Sequence, residues 1–162
     1  ALGTQTGSVP LFLPGIQGTV TKNEREALMR SAIGAAAIHE IRIWSPPEKL
    51  ADEFWGPLYR FGYGASNTRV FRYWDLPAVA KVSGVDAEAF VLARDSEALV
   101  LVASFGESGN AELQLDGDRL GLPAHGTCWV VDSNRKASGS EPFTCQFSLP
   151  RYGYRLLHFR EE

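Results

Sequence analysis

The sequence predicts an α+β fold, in which a predominantly all-β antiparallel sandwich of about seven or eight strands follows a small helical α/β remnant. Before residue 62 the apolar side chains recur at helical spacing, and from Arg69 onward they recur at every second position in short runs. Gly, Pro, Asn, Asp and Ser separate these runs, which is typical of a sandwich. We therefore predict two parts: residues 1–68, a loop and helical segment compatible with the end of a larger α/β barrel, and residues 69–162, the β-sandwich domain.

The first twenty residues are rich in Gly, Pro and Thr and contain one short apolar run, residues 9–13. Such a composition predicts loop or extended chain that lies on another part of the protein. An irregular start of this kind is more typical of the middle of a larger protein than of the beginning of a domain.

A first helix is predicted over residues 22–40, because Thr21 and Glu24 have the spacing of a capping box. Small residues along one face should let this helix approach its neighbour closely, which would offset the cost of about 1 kcal/mol for Gly34. The face that we expect to be buried contains Leu28, Ala32, Ala35 and Ala36. Residues 41–44 (IRIW) then alternate in the manner of a short β-strand, as expected of α/β architecture.

A second helix is predicted over about residues 46–61. Ser45 and Glu48 form another capping-box pattern, and Pro46 stands at the first helical position, where its missing N–H is not needed. The apolar residues recur at spacings of four, four and three, so they form one stripe that we expect to be mostly buried. This stripe contains Leu50, Phe54, Leu58 and Phe61. The helix should end at Gly62, which is followed by a further glycine at position 64.

Eight short runs with a period of two are predicted to form the strands of the sandwich: RVFRYW, VAKVSG, AEAFVLARD, EALVLVASFG, AELQLDGD, TCWVVDS, FTCQFSLP and YGYRLLHFRE. Phe71 and Tyr73 should alternate on the first of them. The turns RDSE (94–97) and DGD (116–118) are expected to close hairpins. The run ALVLVASF is apolar enough to be the central strand.

Composition excludes several classes of protein. The chain has 162 residues, 44% of them hydrophobic and 22% charged, which are values of an ordinary globular domain. The net charge is only −3 and the basic residues are dispersed, which argues against nucleic-acid binding. No apolar run approaches the roughly 20 residues that cross a bilayer, so no membrane partner is expected. The sequence does not indicate a cellular compartment.

Catalytic and metal-binding motifs are absent from the sequence. There is no GxSxG motif, the GYGASN run follows a helix rather than a strand, and the DGD turn lacks further calcium ligands. The three histidines lack the spacing of a zinc site, and Cys128 and Cys145 are expected to be buried free thiols on neighbouring strands. We therefore expect no metal and no cofactor. Glu40 and Asp75 are the carboxylates nearest to segment ends, but neither has a recognisable partner for glycoside hydrolysis.

Five residues are candidates for contact with a carbohydrate. Arg42 and Trp44 lie at the end of the short predicted strand, and residues at the carboxyl end of a barrel strand face the active site. Packing of Trp44 under the next helix is an equally good interpretation. Trp55, Tyr63 and Trp74 belong to the aromatic-rich stretch 54–75 but fit neither the helical stripe nor the strand alternation, so a sugar contact within this stretch is expected at them.

The order of these segments resembles the C-terminal part of a multidomain glycoside hydrolase. AIHEIRIW, FWGPLYRFG and VFRYWD follow one another before the β-domain, and VSGVDAEAFVLARDSEALVLVASFGESGNAELQLD and LPRYGYRLLHF are similar to the antiparallel sandwich that follows the barrel in such enzymes. The resemblance covers roughly residues 22–162. It implies that most of the barrel and its catalytic carboxylates lie upstream, that no residue of this chain is catalytic, and that the sandwich packs against the barrel as an accessory.

Three functions are compatible with these observations. The first is an accessory β-sandwich region of a carbohydrate-active enzyme, a fragment that is non-catalytic alone and whose partners are the remainder of a larger enzyme or another chain, with carbohydrate as a candidate ligand. The second is an independent carbohydrate- or protein-binding module, which should expose coplanar aromatic rings on one face. The third is a small self-sufficient enzyme, which the absence of a catalytic constellation disfavours.

Overall fold

The computed structural model describes residues 11–12, 18–43, 48–139 and 142–161. Its helices are α1 (Lys22–Ile38), α2 (Glu48–Phe61) and the one-turn α3 (Gly117–Leu120). Its strands are β1 (Leu11–Phe12), β2 (Arg42–Ile43), β3 (Arg69–Phe71), β4 (Ala80–Ser83), β5 (Ala87–Arg94), β6 (Glu97–Ser104), β7 (Gly109–Leu115), β8 (Thr127–Val130), β9 (Arg135–Lys136), β10 (Thr144–Leu149) and β11 (Tyr154–Arg160).

Two antiparallel sheets form the sandwich within the described ranges. The larger has the strand order β3-β5-β6-β11-β8-β9, and the smaller has the order β10-β7-β4. The predicted α+β class with a β-sandwich is confirmed, and β6 lies inside the larger sheet as expected. The short β1 and β2 form a separate parallel pair. Strand β9 was not predicted, because its two residues are both exposed and carry no apolar alternation.

Both faces of the six-stranded sheet are buried, one against the smaller sheet and the other against α1 and α2. Alternate residues of β5 and β6 divide between the two cores, because successive side chains of a strand point to opposite faces. The core between the sheets takes Ala89, Val91, Ala93, Ala98, Val100 and Val102. The core under the helices takes Phe90, Leu92, Leu99, Leu101 and Ala103. The division at residue 68 stays a prediction, although the core under the helices draws residues from both sides of it.

The capping box of α1 is present, but its buried face differs from the prediction. The backbone N–H of Glu24 donates to the hydroxyl of Thr21 at 3.3 Å, and the Glu24 carboxylate accepts from the Thr21 backbone at 2.7 Å. Leu28 and Ala35 are exposed, whereas the buried residues are Ile33, Gly34, Ala36, Ala37 and Ile38. Leu28 is 49% exposed, whereas its neighbour Met29 packs against the core under the helices. The spacing of apolar residues in the sequence did not distinguish between these two positions.

The stripe of α2 is buried as predicted, with Leu50, Phe54, Leu58 and Phe61 all at most 6% exposed. The helix ends at Gly62, whose φ of +104° lies in the region that favours glycine. The backbone N–H of Tyr63 then donates to the carbonyl of Leu58 at 2.9 Å, which satisfies one of the last carbonyls. The capping residue proposed for this helix, Ser45, lies outside the described residues.

Two local predictions in the β-domain are wrong. The DGD turn does not close a hairpin; instead the Asp116 side chain accepts from the N–H of Arg119 at 3.1 Å and caps α3. Tyr73 is not on the first strand, because β3 ends at Phe71. The RDSE hairpin is present, with β5 and β6 joined through Asp95 and Ser96 at positive φ.

The two cysteines are free and buried, as predicted. They do not lie on neighbouring strands, because β8 belongs to the larger sheet and β10 to the smaller one. Cys128 and Cys145 instead belong to the core between the two sheets. A hydrogen bond with Cys145, together with burial, raises the pKa of the Cys128 thiol far above its ordinary value. These thiols therefore act as small core residues.

Candidate functional site

The four candidate residues that the structure describes lie in separate places. Trp44 lies outside the described residues, and Arg42 is on β2, where it pairs with Leu11 of β1. Trp55 and Tyr63 come together at α2. Trp74 lies in the turn after β3, among a different set of rings. Within the part of the chain that the structure describes, the candidates thus separate into an α2 group and a Trp74 group.

Three aromatic rings, those of Trp55, Tyr59 and Tyr63, form an aromatic patch at α2. Their centroids are 6.0, 6.4 and 6.3 Å apart, so the rings make a triangle rather than a linear stack. The plane of Trp55 is within 29° of Tyr59 and within 25° of Tyr63. Tyr59 is 50% exposed, and the other two are half-buried. Tyr59 and Tyr63 are tilted by 40° relative to each other, so the patch offers inclined ring faces that can pack against a sugar ring or an apolar side chain.

The core holds the patch in place. The Trp55 ring meets the buried Phe54 edge to face at 4.9 Å, and the Tyr63 ring meets Phe90 of β5 at 6.0 Å. The sequence pattern identified Trp55 and Tyr63 but missed Tyr59. Spacing could have found Tyr59, since Trp55 and Tyr59 are four apart and lie on one face of α2, whereas Tyr63 reaches them only after the chain turns at Gly62.

The Trp74 group joins the end of α1 to the turn after β3. The indole of Trp74 is nearly parallel to the imidazole of His39, with the ring centroids 6.1 Å apart and the planes 14° apart. The hydroxyl of Tyr73 lies 3.2 Å from Nδ1 of His39, and Cζ of Arg72 lies 6.0 Å from the Trp74 ring. Trp74 thus contacts His39, Tyr73 and Arg72, and its role in ligand binding stays a prediction.

The same turn holds both carboxylates that the sequence singled out. Arg72 forms a hydrogen-bonded ion pair with Glu40, and its guanidinium lies 3.6 Å from Asp75. The hydrogen bond to Glu40, reinforced by both negative charges, raises the pKa of Arg72. We call Glu40, Arg72 and Asp75 the ion triad. Both carboxylates therefore contact the same guanidinium, which joins the end of α1 to the turn after β3.

A helix–sheet cleft lies between the two long helices and the larger sheet. Its volume is about 640 Å³, and α1, α2, the turn after β8 and the residues around the start of β11 line it. Arg30 of α1 pairs with Glu53 of α2 on one wall, and Arg155 of β11 pairs with Asp132 at 3.1 Å on the other. The sequence did not predict this cleft, because its walls come from segments more than a hundred residues apart.

The phenol of Tyr154 lies in this cleft. Its hydroxyl is buried, and among the described residues the guanidinium of Arg30 is a charged group that interacts with it. Burial raises the pKa of this phenol, and the nearby charge of Arg30 opposes the shift only in part. The hydroxyl therefore stays protonated at neutral pH.

Among the described residues, no group of three or more His, Cys, Asp or Glu side chains is placed to hold a metal ion. None of the helices in the described ranges is long and apolar enough to cross a membrane.

Comparison with known proteins gives a similarity of fold. No protein-family model matches the sequence, and no curated protein matches it. The structure is similar to a noncanonic maltogenic α-amylase from Thermotoga neapolitana, with a TM-score of 0.50 and 12% identity over 98% of this chain and 43% of that one. For α-galactosidase I from Mortierella vinacea, the TM-score is 0.48 and the identity 15%, over 86% of this chain and 36% of that one. The chain thus spans less than half the length of these two glycoside hydrolases, and at such identities the likeness concerns the fold alone.

Proposed function

We propose that this chain is a C-terminal accessory region of a carbohydrate-active enzyme of the glycoside hydrolase type, and that it is not catalytic by itself. One observation carries the proposal: 98% of the chain aligns with only 43% of an α-amylase. A chain that aligns almost completely with a minor part of an enzyme is expected to supply that part and not the whole activity.

The ion triad supports the non-catalytic role. Glycoside hydrolysis uses two carboxyl groups about 5–9 Å apart that flank the bond to be cut. Glu40 and Asp75 are the carboxylates that the sequence placed beside segment ends, and both share the guanidinium of Arg72. The triad ties α1 to the turn after β3, so its role in this proposal is structural.

The test is the enzymatic activity of the natural gene product. We expect the gene to encode a barrel with paired carboxylates upstream of this chain, and the complete product to hydrolyse a chromogenic α-glucoside or α-galactoside. The 162-residue chain alone should release no chromophore. Hydrolysis by the isolated chain, or a gene that encodes no barrel, would contradict the proposal.

A second candidate function is an independent carbohydrate-binding module. The aromatic patch favours it, because Tyr59 is half in water and its neighbours Trp55 and Tyr63 present nearly parallel rings. This function requires the isolated chain to bind a polysaccharide through α2.

A further inference from the structure

The two buried cysteines lie where the chain crosses from one sheet of the sandwich to the other. Cys128 is on β8 of the larger sheet, and Cys145 is on β10 of the smaller one. Both side chains belong to the core between the sheets, and neither residue is more than 5% exposed. The two thiols form a hydrogen bond with each other, so they are in contact across the gap between the sheets.

The connection between β9 and β10 holds the two strands together at this point. The backbone N–H of Ala137 donates to the carbonyl of Cys128 at 2.9 Å, which continues the pairing along β8. The next residue, Ser138, pairs instead with Gln146 of β10, whose N–H donates to the Ser138 carbonyl at 2.6 Å. Two consecutive residues therefore bond first to the larger sheet at Cys128 and then to the smaller sheet beside Cys145.

The chain segments at this corner approach each other closely. A Cβ added to Gly139 would collide with the backbone carbonyl oxygen of Thr144, the residue before Cys145. Cα atoms of β8 and β10 come within 8 Å of each other. The Cα atoms of a disulfide are usually about 4.4–6.8 Å apart, and its sulfur atoms are about 2.05 Å apart. A short inward movement of the two strands therefore converts the contact between the thiols into bonding geometry.

We propose that Cys128 and Cys145 form an inter-sheet disulfide when the chain folds in the presence of a small-molecule disulfide such as oxidised glutathione. The thiolate of one cysteine attacks a sulfur atom of oxidised glutathione and releases one molecule of reduced glutathione. The second cysteine then attacks the mixed disulfide and releases the other molecule. The two cysteines together lose two protons and two electrons, which oxidised glutathione takes up as its two thiols. The reaction belongs to folding, because both thiols are shielded in the finished sandwich.

The disulfide would make the stability of the sandwich depend on redox conditions. It closes residues 129–144 into a loop and ties the larger sheet to the smaller one, which restricts the unfolded chain. A cross-link over a loop of about 15 residues is expected to raise the Tm of a domain of this size by roughly 5–10 °C. The chain that folds under reducing conditions keeps both thiols and has the lower Tm.

The test is refolding of the 162-residue chain from guanidinium, once with reduced glutathione alone and once with a mixture of reduced and oxidised glutathione. We expect the second product to be a monomer that is lighter by two hydrogen atoms and has the higher Tm. Proteolysis should release a peptide pair that links Cys128 to Cys145. Cys145→Ala is the matched control, because it keeps Cys128 but cannot close the bond, so its Tm should not rise in the oxidising buffer.

The mass of the wild-type product decides the main question without any variant. Two free thiols after refolding in the oxidising buffer, or a disulfide between two chains, would overturn the proposal, because the two cysteines would then not meet within one sandwich. A linked product whose Tm is no higher than that of the reduced chain would also overturn it, since the bond would then strain the sandwich. Oxidation of the native reduced chain faster than the chain unfolds would contradict the assignment of the reaction to folding.

Discussion

Gly34 of α1 lies directly against Tyr154 of β11. A Cβ added to Gly34 would come within 3.2 Å of the Cβ of Tyr154 and 3.3 Å of its ring. Both distances are shorter than ordinary carbon contacts of about 3.5–4.0 Å, and the Cβ of a strand residue cannot move without its backbone. The small residue therefore sets how closely the helix approaches the sheet.

We expect Gly34→Val to destabilise the protein by about 1–3 kcal/mol, the usual cost of overpacking. The measurement is the free energy of unfolding in urea. Ala35→Val is the matched control on the exposed side of the same helix, where the substitution costs only helix propensity, below about 1 kcal/mol. Equal effects of the two substitutions would mean that the helix does not pack closely at Gly34.

Substitution in the aromatic patch should affect binding without a large effect on stability. Tyr59→Ala should change the free energy of unfolding by less than about 1 kcal/mol, because half of the side chain already contacts water. Phe54→Ala, five residues earlier and fully buried, should cost about 3–5 kcal/mol.

The binding measurement is migration in a gel that contains soluble starch or galactomannan. If the chain is a binding module, migration should be retarded for the wild type and normal for Tyr59→Ala. Equal migration of wild type and variant in both gels counts against the module.

The ion triad should stabilise the contact between α1 and the turn after β3. Arg72→Ala leaves two partly buried carboxylates beside each other without a cation, so we expect a loss of about 1–2 kcal/mol in the free energy of unfolding. Arg25→Ala, at an exposed position of α1, should have an effect within about 0.5 kcal/mol. Arg72→Ala should also be made in a protein that already carries Glu40→Gln. If it causes no further loss of stability there, the interaction lies in the Arg72–Glu40 pair.

Both thiols should be unreactive in the folded protein. Neither Cys128 nor Cys145 is more than 5% exposed, and the hydrogen bond and burial that raise the pKa of Cys128 keep it as the thiol rather than the reactive thiolate. An Ellman assay at pH 8 should detect no thiol in the native chain and both after addition of guanidinium. Rapid reaction of either cysteine without denaturant would disprove its place in the core.

The raised pKa of Cys128 also predicts how the stability of the protein changes with pH. The thiol of Cys128 loses its proton at about pH 8.5 in the unfolded chain. In the folded protein its raised pKa keeps it protonated at higher pH. The stability contributed by this group is therefore complete below about pH 8.5 and is lost as the pH rises further. Urea unfolding at pH 7.5 and 9.5 should show a smaller decline for Cys128→Ala than for the wild type. An identical decline in both proteins would assign the pH dependence to other groups.

The sequence predicted those features that depend on local periodicity. The stripe of α2 and the eight runs of the sandwich follow from spacing alone, and β6 could be recognised as central because it is apolar on both faces. The buried face of α1 could not be predicted, since several faces of an alanine-rich helix are apolar and the packing on β6 and β11 decides which one is covered. Tyr73 lies outside the strand predicted for it, because the chain turns immediately after β3.

The candidate site was predicted only in part, for a related reason. Trp55 and Tyr63 stood out because they did not fit the buried stripe, and they do meet in space. The helix–sheet cleft could not be found in this way, because Arg30, Arg60 and Tyr154 are distant in sequence and meet only through the packing of helices on the sheet.

Burial of the larger sheet on both faces has a consequence for cutting the chain at the predicted boundary. A shorter protein that begins at Arg69 would lose α1 and α2 and expose Phe90, Leu92, Leu99 and Leu101 together on one flat surface. Contiguous apolar surface of this kind drives self-association. We expect this truncated protein to elute from size-exclusion columns as aggregates and the 162-residue chain as a single discrete species. The two helices would then act as a cover that keeps the sandwich in solution, whatever else they bind.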